Sequence, residues 1–156
     1  MNELGPRALL SISFDDAHRS VANKAHPIMR SLGIPGTVYV VTSWVGQNEY
    51  MDSSELGAVR DDGWELASHS VSHRRMSRLN GEELEEELSV SARRIAGFNT
   101  SSKSAVGFAF PFGDSGSVGV REIRMASKFY KYVRLNGNRR GLLNPHHCHL
   151  DTMRIK

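Results

Sequence analysis

The chain carries a single cysteine, Cys148, so no internal disulfide can form and packing alone must hold the fold. No apolar run approaches the ~20 residues of a membrane span. The start, Met1-Asn2-Glu3-Leu4-Gly5-Pro6, lacks the basic and apolar regions of a signal peptide. The chain is therefore expected either in the cytoplasm or as the remainder of an exported protein whose signal was removed or lies outside it. Internal repeats, low-complexity segments and interdomain linkers are all missing, which excludes solenoid and multidomain readings. No sign of charge dominates: twenty Lys+Arg against seventeen Asp+Glu leave a formal +3. The basic doublets Arg74-Arg75, Arg93-Arg94 and Arg139-Arg140 are scattered, without interleaved aromatics. That is a solvated surface rather than a nucleic-acid face. A phosphate loop is absent too, since Gly113-Asp114-Ser115-Gly116 lacks the lysine and spacing of one.

What remains is ordinary globular composition, 39% hydrophobic and 24% charged over 156 residues, which predicts one domain spanning 1–156 around one core. The apolar run Ala8 to Phe14 reads as a buried strand that stops at Asp15 and Asp16. From Ser20, the positions Val21, Ala25, Ile28, Met29 and Leu32 follow helical spacing up to Gly33, with a kink expected at Pro27. Gly36 to Val41 is a second strand. Asp52 with Glu55 forms a capping-box pattern opening a short helix with Leu56 and Val59 inward. Trp64 to Ser68 alternates as a third strand and delivers His69. Asn80 with Glu83 caps the clearest helix, in which Leu84, Leu88, Ala92 and Ile95 form the core stripe while Glu82, Glu85 and Glu86 face water. A fourth strand at Ala105 to Phe110, a helix from about Val118 to Lys128 and a fifth strand near Tyr130 to Leu135 complete the pattern. Strands alternating with helices imply a parallel sheet, open or rolled into a barrel, with its site at the strands' C-terminal ends.

Two short stretches stand at such ends: Ser13-Phe14-Asp15-Asp16-Ala17, and Ser68-His69-Ser70-Val71-Ser72-His73 about fifty residues later. Adjacent acids are common in loops and caps, and a His-x-x-x-His spacing arises by chance. Two carboxylates at the end of a buried strand, however, need a strong compensating partner, and a divalent cation is one. Neighbours on an extended backbone point to opposite sides, so one Asp can bind metal while the other faces substrate if the chain bends there. On a helical turn, His69 and His73 would share a face and could hold a Zn²⁺-like ion with one carboxylate, leaving positions for water as in a catalytic site. His146, His147 and His149 offer a weaker second cluster, with no strand to place them, and a Cys148–His nucleophile pair is weaker still.

The series Ser13-Phe14-Asp15-Asp16-Ala17, Gly63-Trp64-Glu65-Leu66-Ala67-Ser68-His69-Ser70-Val71-Ser72-His73 and Phe108-Ala109-Phe110-Pro111-Phe112-Gly113 resembles, in order and spacing, the polysaccharide deacetylases of carbohydrate esterase family 4. The similarity runs from about Leu9 to Phe112 and on toward Asn144. The resemblance implies an α/β fold, a distorted, incomplete (β/α) barrel shortened relative to a full eight-unit one. It implies Asp15 as catalytic base, and Asp16, His69 and His73 as ligands of one divalent metal, most commonly Zn²⁺ with other divalent transition metals as alternatives. Pro111, Phe112 and Gly113 are implied to shape the substrate groove, the backbone N–H at Phe112 helping to hold the oxyanion. The implied activity is removal of N-acetyl groups from the amino sugars of a polysaccharide or oligosaccharide of the peptidoglycan, chitin or poly-N-acetylglucosamine type, at the cell envelope or outside the cell.

Three positions depart from the family pattern. Ala17 stands in place of the usual glycine. Ala109 stands where many members carry an arginine that pairs with the base. The late Leu-x-His motif that supplies the general acid is not found before Lys156, with His146, His147 or His149 as positional stand-ins, so the chain is expected to be C-terminally truncated or naturally short. Alternative readings are a deacylase of another amide or ester, such as O-acetyl xylan, a formamido sugar or a small cyclic amide, and a glycan-binding protein with impaired catalysis.

Overall fold

A computed structural model describes residues 10–99, 107–113 and 118–135, together with the backbone of Thr152–Arg154. Six strands follow one another across a single sheet in chain order: β1 (Ser13–Phe14), β2 (Thr37–Val40), β3 (Glu65–Ser68), β4 (Gly107–Ala109), β5 (Tyr132–Arg134) and β6 (Thr152–Arg154). The first five are parallel and curl into a half-barrel, with helices making the crossovers. This is the distorted, incomplete (β/α) barrel expected from the sequence.

The crossover helices begin where local chemistry starts them. In α2 (Ser53–Asp61) the Asp52 carboxylate accepts from the N–H groups of Ser54 and Glu55 at 2.8 and 2.9 Å, and Glu55 returns a bond to the Asp52 N–H at 2.9 Å. Asn80 and Glu83 do the same for α3 (Gly81–Phe98), at 2.9 and 3.0 Å. Such reciprocal caps satisfy amides that the first turn would otherwise leave unpaired.

Strand alternation splits the sheet into two faces. Val38, Val40, Leu66, Phe108 and Val133 pack with Leu56, Val59, Leu84, Leu88 and Ile95 of the helices in the main core. Tyr39, Ala67 and Ala109, with Tyr132 against them, form a smaller cluster on the opposite, concave face. Close approach at two glycines fixes the sheet: a Cβ at Gly36 would meet the Trp64 ring at 2.8 Å, and one at Gly107 would collide with the Tyr132 ring.

Several elements differ from expectation. The first helix is split into a π-helical stretch, Val21–Ala25, that runs directly into α1 (His26–Ser31), and Pro27, which has no N–H to donate, sits just past that junction. The extra residue of the π turn rotates the apolar stripe. Val21 and Met29 are buried while Ile28 and Leu32 are 62% and 65% exposed. The last helix, α4 (Val120–Ala126), is shorter than expected. β6, which pairs antiparallel with β5, falls in a segment with no strand signal; non-local pairing rather than propensity makes it a strand.

Candidate metal centre

The C-terminal ends of the parallel strands open on one rim. β1 leads directly into Asp15 and Asp16, β3 into His69, β4 into the loop that carries Pro111, Phe112 and Gly113, and β5 ends on Arg134. Immediately after β1 the backbone turns through left-handed conformations, φ +67° at Asp16 and +55° at Ala17. This bend sends the two neighbouring carboxylates to different partners, Asp15 to Arg134 and Asp16 to the histidines. Among the described residues the non-glycine positions with positive φ are Asp16, Ala17, Ser70, His73 and Phe112, all in these rim loops. Backbone strain of this kind gathers where a site's geometry demands it.

His69 and His73 do not sit on a helical turn. The segment after β3 is an irregular loop with φ +74° at Ser70 and +58° at His73. The Ser70 and Val71 carbonyls are taken by the Thr42 and Ser43 N–H groups at 3.0 Å each, so they cannot close a helix. The loop nevertheless brings the rings together, with centroids 4.9 Å apart. His73 Nε2 and His69 Nε2 lie 3.5 and 3.6 Å from Asp16 Oδ1, and the three donor atoms fall within 4.8 Å of one another.

Those separations are too long for hydrogen bonds. They match ligands around a common ion instead, since donors ~2.0–2.1 Å from a tetrahedral centre stand ~3.4 Å apart. Two further observations fit. Asp16 Oδ1 is buried without a hydrogen-bond partner, a costly state for a carboxylate that nothing compensates. His69 Nδ1 lies 2.7 Å from the Ala109 carbonyl, which can only accept, so the proton sits on Nδ1 and the Nε2 lone pair faces Asp16. Burial holds the His69 imidazole below its ordinary value, against the opposing pull of the Asp15 charge, which keeps the ring in the neutral form that a metal requires. The donor set can accommodate a divalent ion with mixed nitrogen and oxygen ligation.

Asp15 accepts a hydrogen bond from Arg134 Nη2. The guanidinium stacks on the Tyr39 ring, 4.6 Å from its centroid, which fixes its direction. An arginine thus reaches Asp15 from the end of β5 although position 109 on β4 is alanine. Of the loop residues, Pro111 and Gly113 are buried, while Phe112 is 47% exposed with its ring 4.7 Å from that of His73. Trp44 stands near His73 as well, at 5.3 Å.

Sequence reasoning missed Arg134, Trp44 and Glu87. Glu87 is 7% exposed on α3, and its carboxylate accepts from the Val71 N–H at 2.9 Å, the Ser72 N–H at 3.1 Å and the Ser72 hydroxyl. It clamps the loop between the two histidines. One signal was available: Glu87 lies three residues after Leu84 and beside Leu88, inside the apolar stripe, where an acid needs buried partners. Arg134 and Trp44 had no comparable local signal. His146, His147 and His149 lie outside the described residues.

The chain is similar in sequence and fold to known polysaccharide deacetylases. The sequence profile of polysaccharide deacetylases matches residues 4–128. The poly-β-1,6-N-acetyl-D-glucosamine N-deacetylase of Staphylococcus aureus is 27% identical over 85 residues, covering 51% of this chain and 29% of the relative. Among solved structures, the Streptococcus pyogenes deacetylase PplD in complex with acetate superposes with a TM-score of 0.71 at 19% identity, over 81% of this chain and 54% of that one. IcaB from Ammonifex degensii gives 0.72 at 18% identity, over 83% and 60%. The chain therefore spans less than two thirds of the length of each of these proteins. Because the profile covers most of the sequence and takes in all three segments that meet at the rim, the chain belongs to the polysaccharide deacetylase family.

Proposed function

We propose that the chain forms the core of a metal-dependent hydrolase that removes N-acetyl groups from amino sugars of a polysaccharide of the peptidoglycan, chitin or poly-N-acetylglucosamine type. The observation that carries this reading is the convergence of Asp16 Oδ1, His69 Nε2 and His73 Nε2 beside an arginine-held Asp15. Asp16, His69 and His73 would hold one divalent ion, Zn²⁺ by preference for this nitrogen and oxygen set. When bound, it supplies Lewis acidity that activates water near neutral pH and polarises the acetyl carbonyl.

The chain's own residues supply the rest. Asp15, the catalytic base, takes the proton from the attacking water at a carboxylate oxygen, and Arg134 orients it for that transfer. Phe112 and Trp44 wall the rim around His73, where flat apolar surface can face a sugar ring. The name of the Staphylococcus aureus relative supports an amino-sugar polysaccharide as substrate.

Deacetylation of a panel of N-acetylated and O-acetylated oligosaccharides, with metal stripped and then restored, tests activity, substrate class and metal dependence together. Release of acetate from N-acetylated oligomers that disappears on stripping and returns with Zn²⁺ is expected. Turnover confined to O-acetylated sugars, or unaffected by stripping, would contradict the reading.

A further inference from the structure

Tyr39 and Tyr132 come from strands that are not neighbours, yet their side chains meet across the concave face. The register pairs Tyr39 with Ala67, Ser68 with Phe108, and Gly107 with Tyr132, which sets both tyrosines at one level of the sheet. Ala67 and Gly107 are what stand between them at that level, and a Cβ on Gly107 would already collide with the Tyr132 ring. Two small residues thus leave the space that two rings fill.

The polar atoms here form one directed chain. The Tyr132 hydroxyl donates to Glu65 Oε2 at 2.7 Å, and the Thr37 hydroxyl lies 3.5 Å from the same oxygen. With its proton committed to Glu65, the Tyr132 oxygen is left to accept from the hydroxyl of Tyr39, its other hydrogen-bond partner. Burial holds both phenols above their ordinary values, so both keep a proton to donate. The face of the Tyr39 ring carries the Arg134 guanidinium, which donates in turn to Asp15. Core packing alone does not call for this arrangement. Glu65 Oε1 is buried with no hydrogen-bond partner among the described residues, a destabilising state that an apolar side chain would avoid.

We infer that Tyr39 and Tyr132 are positioning residues for the base: anchored on Glu65, they hold the Tyr39 ring as a fixed platform that aims Arg134 at Asp15 from inside the half-barrel. The inference rests on the hydrolase reading for the role of Asp15, but the aim of Arg134 is measurable without turnover. Tyr39 also lies near His69, with ring centroids 6.5 Å apart, so metal content is followed in every variant.

The test combines steady-state kinetics on an N-acetylated oligosaccharide, zinc content, and nitrogen NMR of the arginine side chains in the zinc-loaded protein. Tyr39→Leu should lose kcat roughly tenfold at unchanged KM and zinc content, the size of a removed cation–π contact. Tyr39→Phe and Tyr132→Phe keep the rings and cut only the hydroxyl chain, so each should lose about threefold. In an Arg134→Ala background none of the three should lower kcat further, because their effect passes through the guanidinium. Hindered rotation of that guanidinium, seen as separate Nη signals, should be lost in Tyr39→Leu and kept in Tyr39→Phe. Should Tyr39→Leu fail to fold, the two phenylalanine variants carry the kinetic test alone. Losses that add fully to that of Arg134→Ala, or a raised KM at unchanged kcat, would overturn the inference. So would a wild-type kcat with an unchanged Arg134 signal in Tyr39→Leu. If the wild-type protein releases no acetate, the hydrolase reading fails and the NMR decides the platform: an Arg134 signal altered by Tyr39→Leu sustains it, and an unaltered one overturns it.

Discussion

At the scale of single residues, the pairing of Asp15 with Arg134 has the sharpest consequence. Asp15→Asn keeps the shape of the side chain but cannot take a proton, so turnover should fall by ~10²–10⁴ while bound metal is retained. Arg134→Ala leaves the carboxylate chemistry and removes only its orientation, so a smaller loss in kcat is expected, on the order of tenfold to a hundredfold, with metal again retained. Steady-state kinetics with elemental analysis separates the two, and a normal kcat in Arg134→Ala would mean that Asp15 is oriented by other contacts. Ala17 allows a stability test. It is buried at φ +55° where a glycine would be unstrained. The left-handed conformation costs about 1–2 kcal/mol for an L-residue. Glycine would bring roughly 0.4–1 kcal/mol of extra unfolded-chain freedom and lose a buried methyl worth about 0.8 kcal/mol. These nearly cancel, so Ala17→Gly should change stability by less than about 1 kcal/mol in denaturant unfolding. Ala17→Val, β-branched in the same conformation and overpacked, should lose more than about 2 kcal/mol. A strongly stabilising glycine would show that the bend after β1 is more strained than this account holds.

At the scale of elements, α3 is both core and clamp. Its Leu84, Leu88 and Ile95 are fully buried, as their spacing predicts, while Glu87 reaches across to hold the loop between His69 and His73. Glu87→Gln removes the charge that strengthens the bonds from the Val71 and Ser72 N–H groups, so the loop should loosen. Zinc affinity is expected to fall by ~10–100-fold, the range usual for partners outside the ligand shell. Competition with a chelator measures this, and unchanged affinity would show that the loop holds its shape without the clamp. The capping boxes at Asp52 and Asn80 were legible in the sequence because donor and acceptor lie three residues apart, within reach of local chemistry. The π turn before α1 and the irregular His69–His73 loop were not. The loop depends on non-local bonds: Thr42 and Ser43, just after β2, occupy carbonyls that a helix would need.

At the scale of the whole molecule, alternating strands and helices made a parallel, barrel-like sheet legible, since each apolar run between turn signals maps to one layer. Which side chains meet across the rim is a matter of sheet order and curl. Arg134 reaches Asp15 only because β5 ends on the same rim as β1. Residue type and spacing were enough to group one of the adjacent carboxylates with His69 and His73, since acids and histidines at strand ends carry their chemistry with them, whereas the choice of Asp16 over Asp15 came from the family resemblance. The Glu87 clamp depends on packing between non-adjacent segments and had no equally direct trace. The central claim is that Asp16, His69 and His73 hold one divalent ion, and metal content by elemental analysis across a small variant set tests it most directly. The purified chain should carry about one zinc equivalent, Asp16→Ala, His69→Ala and His73→Ala should each lose it, and Asp15→Asn should keep it. Full, tight occupancy in His73→Ala would contradict the account.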